Sequence, residues 1–140
     1  MKSLFIFSLL AIFSISSCGT PYDSSQKNTG IVGNWTLVKE VKNNKVINYD
    51  GIPTASKYEF KENGYYVYYD KITNEKIAKS GVGTIQDIEK GQFMQEDADL
   101  KLNHYLGDSL VTKTLIVKEQ TATHLTLFDE TTNKTSHFKK

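Results

Sequence analysis

Ser56-Lys57-Tyr58-Glu59-Phe60-Lys61-Glu62-Asn63-Gly64-Tyr65-Tyr66-Val67-Tyr68-Tyr69-Asp70 consists of two runs rich in aromatic residues, separated by Asn-Gly. Aromatic and β-branched residues suit a pleated, half-buried surface. Asn-Gly supplies the two positive-φ residues of a type I′ hairpin turn. A two-residue turn at Asn63-Gly64 pairs Glu62 with Tyr65, Phe60 with Val67 and Tyr58 with Tyr69 on one face. Lys61 then faces Tyr66, Glu59 faces Tyr68 and Lys57 faces Asp70 on the other. The first set is expected to look inward, and the second outward, with a Lys57–Asp70 cross-strand pair. Tyr66 and Tyr68 become exposed rings, either covered by lysine stems or offered to a protein partner.

Outward from this hairpin the same grammar continues. Ile31–Val41 ends at Asn43-Asn44, and Lys45–Tyr49 ends at Asp50-Gly51. Further strands are expected at Ile77–Asp87, Leu100–Tyr105, Leu110–Glu119, Thr123–Phe128 and Lys134–Phe138. Turns are expected at Thr73-Asn74, Gly91, Gly107-Asp108 and Thr131-Thr132-Asn133, and no helical stripe stands out. Eight or nine short antiparallel strands joined in sequence tend to close on themselves, because closure removes exposed edges. The expected fold is all-β: a small antiparallel up-and-down meander barrel of about eight strands.

The chain divides into three parts, read as a signal peptide (1–17), a tether (18–29) and the β domain (30–140). Met1-Lys2-Ser3 is a basic start, Leu4–Phe13 is apolar apart from Ser8, and Ser14-Ile15-Ser16-Ser17 brings small residues up to Cys18. The apolar run is far shorter than the ~20 residues needed to cross a bilayer, and the pattern is that of a secretory signal. Ile15-Ser16-Ser17-Cys18 resembles the lipobox of bacterial lipoproteins. The resemblance implies a diacylglycerol on the Cys18 sulfur, cleavage before Cys18 and attachment to membrane lipid. Several acyl chains, at ~0.8 kcal/mol per buried CH₂, hold a protein durably where one holds it marginally. The expected location is the bacterial cell envelope, on the outer membrane facing the periplasm. Gly19–Thr29 is polar, carries Gly and Pro and spans about 18 Å as a coil.

Ile31-Val32-Gly33-Asn34-Trp35-Thr36-Leu37 resembles the Gly-x-Trp start of a lipocalin. Together with Tyr58-Glu59-Phe60 before Asn63-Gly64, and Leu125-Thr126-Leu127, it resembles the short bacterial lipocalin-like domains that follow a lipobox. The resemblance implies that Gly33 opens the first strand and that Trp35 plugs the closed end of a barrel. Long lipocalins add an arginine packed on that tryptophan and a helix after the barrel. This chain has no arginine and stops at Lys140. An eight-stranded barrel is filled by its own side chains or holds one small ligand. Candidate ligand contacts are Tyr58, Phe60, Tyr65, Val67, Tyr69, Leu102, Leu115 and Leu127, for an apolar or amphipathic molecule. The other reading is a solid barrel acting as a structural or protein-interaction module of the envelope.

Composition and spacing narrow the remaining classes. There are 17 basic residues, all lysine, against 16 acids, for a net charge of +1. That balance does not suit nucleic acid. A single cysteine excludes a disulfide framework. His104, His124 and His137 form no close ligand motif, although a turn at 131–133 puts His124 and His137 diagonally on one face. Glu96-Asp97-Ala98-Asp99 lacks calcium-loop spacing, Gly81-Val82-Gly83 is no phosphate loop, and no Gly-x-Ser-x-Gly frames a serine. No metal, cofactor or catalytic residue is expected, and the protein is read as non-enzymatic.

Overall fold

The computed structural model describes residues 30–81 and 88–140. Its strands are β1 (Gly33–Lys42), β2 (Lys45–Asn48), β3 (Lys57–Phe60), β4 (Tyr65–Tyr69), β5 (Glu89–Glu96), β6 (Asp99–Leu106), β7 (Ser109–Gln120), β8 (His124–Asp129) and β9 (Lys134–Lys139), with one helix, α1 (Lys71–Ser80). All neighbours pair antiparallel, and β1 also pairs with β9. Strands β1 and β3–β9 therefore close an eight-stranded barrel, as the strand-and-turn pattern predicts. Strand β2 is the addition. It folds back on the second half of β1 through Asn43-Asn44, both at positive φ, the geometry of a type I′ turn. Residues 1–29, read above as a signal peptide and tether, lie outside the described residues.

Three expectations need correction. The first is the hairpin register. Lys57 pairs with Tyr69, Tyr58 with Tyr68, Glu59 with Val67 and Phe60 with Tyr66. The loop is three residues long, not two: the Lys61 N–H donates to the Tyr65 carbonyl (2.9 Å), and Gly64 stands at φ 82°. A turn that ends in a left-handed glycine takes this extra residue as a bulge. One residue of slip moves every β4 side chain to the opposite face. Tyr66 and Tyr68 point inward, and Tyr66 is only 1% exposed. Tyr65, Val67 and Tyr69 take the outer face. Lys57 meets Tyr69 rather than Asp70, its ammonium 5.1 Å from the ring centroid.

The second correction is α1, which takes in the turn expected at Thr73-Asn74 and part of the segment expected as the strand Ile77–Asp87. The rest of that segment, 82–87, lies outside the described residues. Asp70 caps the helix by accepting the Thr73 N–H (2.6 Å), and Gly81 ends it at φ 61°. Only the first turns dock: Thr73 and Asn74 are buried, and the Asn74 amide donates to the Ala55 carbonyl (2.7 Å). The helix is an excursion between β4 and β5 that leaves the barrel uninterrupted. The third correction is β5, which takes Gly91 out of its expected turn and makes it a strand residue.

The core fills one end of the barrel. Trp35 is fully buried there, its indole N–H donating to the Ile31 carbonyl (2.6 Å). Lys140 brings its ammonium to 5.1 Å from the indole centroid and donates to the Val32 carbonyl (2.7 Å). A lysine thus provides the cation over the tryptophan in a chain without arginine. Above this plug, Phe60, Tyr66, Phe93, Leu100, Leu102, Leu125 and Phe138 pack as one cluster with Trp35 and Leu37.

Candidate functional site: the polar mouth of the barrel

Alternation along the strands carries the inward positions from the apolar core to a polar layer at the opposite end. Leu115 leads to Lys113 on β7, Leu127 to Asp129 on β8, Phe138 through Ser136 to Lys134 on β9, and Leu102 to His104 on β6. Phe93 leads through Gly91 to Glu89 on β5. Strand β1 joins this layer through an irregularity. Its register with β9 shifts between Leu37 and Lys39, so that Glu40, not Lys39 or Val41, faces Ser136 inside the barrel. A bulge re-aims a side chain in this way by inserting one residue. Tyr68 completes the layer from β4.

The layer is organised in charge pairs. Lys134 Nζ lies 2.9 Å from Glu40 Oε1, and the Tyr49 hydroxyl donates to Glu40 Oε2 (3.2 Å). Lys113 Nζ lies 3.3 Å from Asp129 Oδ2, while the Thr131 and Thr132 N–H groups donate to Asp129 Oδ1 (3.0 and 3.3 Å). The third carboxylate is held differently. The Tyr66 hydroxyl donates to Glu89 Oε1 (2.6 Å), and His104 Nδ1 stands 3.7 Å from that oxygen and 3.5 Å from the Tyr66 hydroxyl.

Burial and these partners set the protonation of the layer. Burial, reinforced by the Glu89 contact, keeps the Tyr66 phenol protonated far above the usual tyrosine range. Burial also raises Tyr58 and Tyr68. For Asp129, burial pushes upward, but Lys113 and the hydrogen bonds from Thr132 outweigh it and hold the carboxyl below its ordinary value. Burial pushes Lys134 downward, yet Glu40 prevails and the ammonium is held above its ordinary value.

Two spaces meet at this layer. A recess of about 60 Å³ lies inside the barrel among Glu40, Tyr58, Lys113, Leu115, Leu127 and Lys134. It has room for a few waters, not for a whole small ligand. An open cleft of about 530 Å³ lies over the rim. It is lined by polar Tyr68, Asp70, Glu89, Lys90 and His104 and by Ile88, Tyr105 and Leu106. Tyr68 and Glu89 line both spaces.

Of the eight expected ligand contacts, Tyr58, Leu115 and Leu127 line the recess. Phe60 and Leu102 belong to the packed core, and Tyr65, Val67 and Tyr69 lie on the outer face. Glu40, Glu89, His104, Lys113, Asp129 and Lys134 were not expected. His104, Lys113 and Asp129 carried a readable signal, since each lies two residues from an apolar residue expected inside: Leu102, Leu115 and Leu127. Gly33 opens β1 and Trp35 fills the plugged end, as the Gly-x-Trp resemblance implies. His124 and His137 do lie diagonally on the outer face of β8 and β9. Among the described residues no three His, Cys, Asp or Glu side chains gather as metal ligands. No described helix is long and apolar enough to cross a membrane.

No family model and no curated protein matches the chain. Among solved structures, it is similar to a lipocalin-like protein from Bacteroides uniformis, with a TM-score of 0.56 and 16% identity, over 79% of this chain and 98% of that one. It is also similar to an uncharacterized protein from Bacteroides eggerthii, with a TM-score of 0.54 and 16% identity, over 78% of this chain and 98% of that one. At such identity the likeness establishes the fold alone: a closed, eight-stranded, lipocalin-like antiparallel barrel with one added strand.

Proposed function

We propose that this protein is a lipid-anchored envelope protein whose barrel is a non-catalytic binding module for a small amphipathic molecule, held at the mouth. The observation that carries the reading is the cleft of about 530 Å³, lined by both polar and apolar side chains, which shares Tyr68 and Glu89 with the recess beneath it. Its volume lies in the range of small-molecule sites, roughly 300–1,000 Å³. A wholly apolar ligand inside the barrel is disfavoured, because the core is packed and the recess is ringed by charges. The binding position therefore moves from the barrel interior to its rim.

The anchor rests on the lipobox-like Ile15-Ser16-Ser17-Cys18. The described chain begins at Gly30, beside the plugged end, so attachment through Cys18 leaves the mouth at the end remote from the entry of the tether. That arrangement suits capture of a molecule from the periplasmic space. The solid-barrel reading loses its expected contact residues, since Tyr66 and Tyr68 point inward. Mass spectrometry of the protein recovered from its native membrane tests both parts. Acyl chains on a chain beginning at Cys18, with a small-molecule adduct at one-to-one ratio, are the expected result. An unmodified Cys18 overturns the anchor, and failure to retain any small amphiphile overturns the binding module.

A further inference from the structure

Resting on that reading of the mouth, we propose that the molecule it selects is a cation: an ammonium seated against Glu89, with its apolar body lying along Ile88, Tyr105 and Leu106. Three carboxylates enter the polar layer, and two lysines answer them. Glu40 holds Lys134 and Asp129 holds Lys113. Glu89 is held by a phenol and an imidazole, and both contacts fall on Oε1. Oε2 remains for a ligand, and Glu89 is the acid that borders both the recess and the cleft. The Tyr66 hydrogen bond fixes the carboxylate in place, so a cation meets an acceptor already oriented for it.

The rest of the cleft agrees in sign. Asp70 adds a second carboxylate, with Oδ1 engaged by the first turn of α1. Tyr68 and Tyr105 line the cleft, and aromatic rings attract a cation through their quadrupole. Lys113 and Lys134 are committed to their own acids, and Lys90 lines the cleft on the outer face of β5 beside Tyr105, one residue out of phase with Glu89. An anionic head group seated at Glu89 would face two carboxylates, Glu89 and Asp70, against one lysine, Lys90, among the described residues that line the cleft. Tyr105 and Leu106, 69% and 64% exposed, offer the apolar wall.

The test is calorimetry on the full chain in phosphatidylcholine nanodiscs, with empty nanodiscs as blank. The probes are phenethylamine, phenethyl alcohol and phenylpropionate, which share a ring and differ in charge. The amine is expected to bind about tenfold or more tightly than either other probe. Glu89→Gln, which keeps an acceptor for Tyr66, should erase that preference, while Glu59→Gln on the outer face should leave it. The wild-type ranking needs no variant: equal binding of the three probes, or preference for the anion, overturns the cation assignment and leaves the binding module standing. Persistence of the preference in Glu89→Gln also overturns it. Binding of none of the probes overturns the cation assignment and the mouth reading together.

Discussion

Tyr66 and Gly91 stand directly opposite each other across β4 and β5, and the tyrosine ring occupies the space a side chain at Gly91 would need. A Cβ built on Gly91 meets Tyr66 Cε1 at 3.0 Å and the Asn103 carbonyl oxygen of β6 at 1.9 Å. The glycine leaves room beside the ring, whose hydroxyl donates to Glu89 two residues along β5. Gly91→Ala should therefore destabilise the fold by about 1–3 kcal/mol through overpacking. Urea denaturation checks this, and an unchanged midpoint would show that the notch is not needed.

The same pair explains where the sequence was legible and where it was not. The antiparallel order and the closure follow from turn residues such as Asn43-Asn44 and Asn63-Gly64 and from the runs between them, but the strand expected at Ile77–Asp87 is found instead at Glu89–Glu96. The facing of β4 does not follow. Tyr65 to Tyr69 reads Tyr-Tyr-Val-Tyr-Tyr, so either register buries aromatic surface, and the choice falls to whether the loop has two residues or three. Glu40 enters the barrel only because of the irregularity after Leu37, which no local propensity announces. Helix α1 left a fainter trace. Lys71–Ser80 lacks an apolar stripe, and its signals are the caps, Asp70 before it and Gly81 after it.

The plugged end should hold much of the stability. Trp35 is fully buried, and its indole nitrogen is satisfied by Ile31. Trp35→Ala should cost ~3–5 kcal/mol, the usual loss for a buried large aromatic. Lys140→Ala removes the cation set against the same ring and should cost only about 0.5–1 kcal/mol. Thermal melts of both variants check the contrast, and equal losses would argue against Trp35 as the plug.

Helix α1 should depend on its cap more than on its packing. Asp70 accepts the Thr73 N–H, and only Thr73 and Asn74 of the helix are buried. Asp70→Ala should lower helix stability by about 1 kcal/mol. Because α1 lies outside the barrel, the loss should be local. Hydrogen exchange should quicken across Lys71–Ser80 while the amides of β6 and β7 keep their protection. Uniform quickening in both would mean that the helix is an integral part of the barrel.

Stability should fall at both ends of the pH scale, for opposite reasons. Asp129 is held below its ordinary value of 3.8, so its contribution is present above that value and is lost as pH falls through the lower folded one. Lys134 is held above 10.5, so its contribution is full below 10.5 and is lost as pH rises through the higher folded one. The buried phenols of Tyr58, Tyr66 and Tyr68 act in the same direction. Above the ordinary tyrosine value of 10.0 the unfolded chain releases these protons and the folded chain retains them, so alkali favours unfolding. The expected alkaline titration, followed by ultraviolet absorbance, shows these three of the eight tyrosines ionising only together with loss of the fold. Asp129→Asn should blunt the acid limb strongly and soften the alkaline limb only slightly, because the Asp129 charge is a minor cause of the raised Lys134 and Tyr58 values. Smooth ionisation of all the phenols in a folded barrel would mean that the mouth admits solvent down to Tyr66, which its burial and its bond to Glu89 argue against.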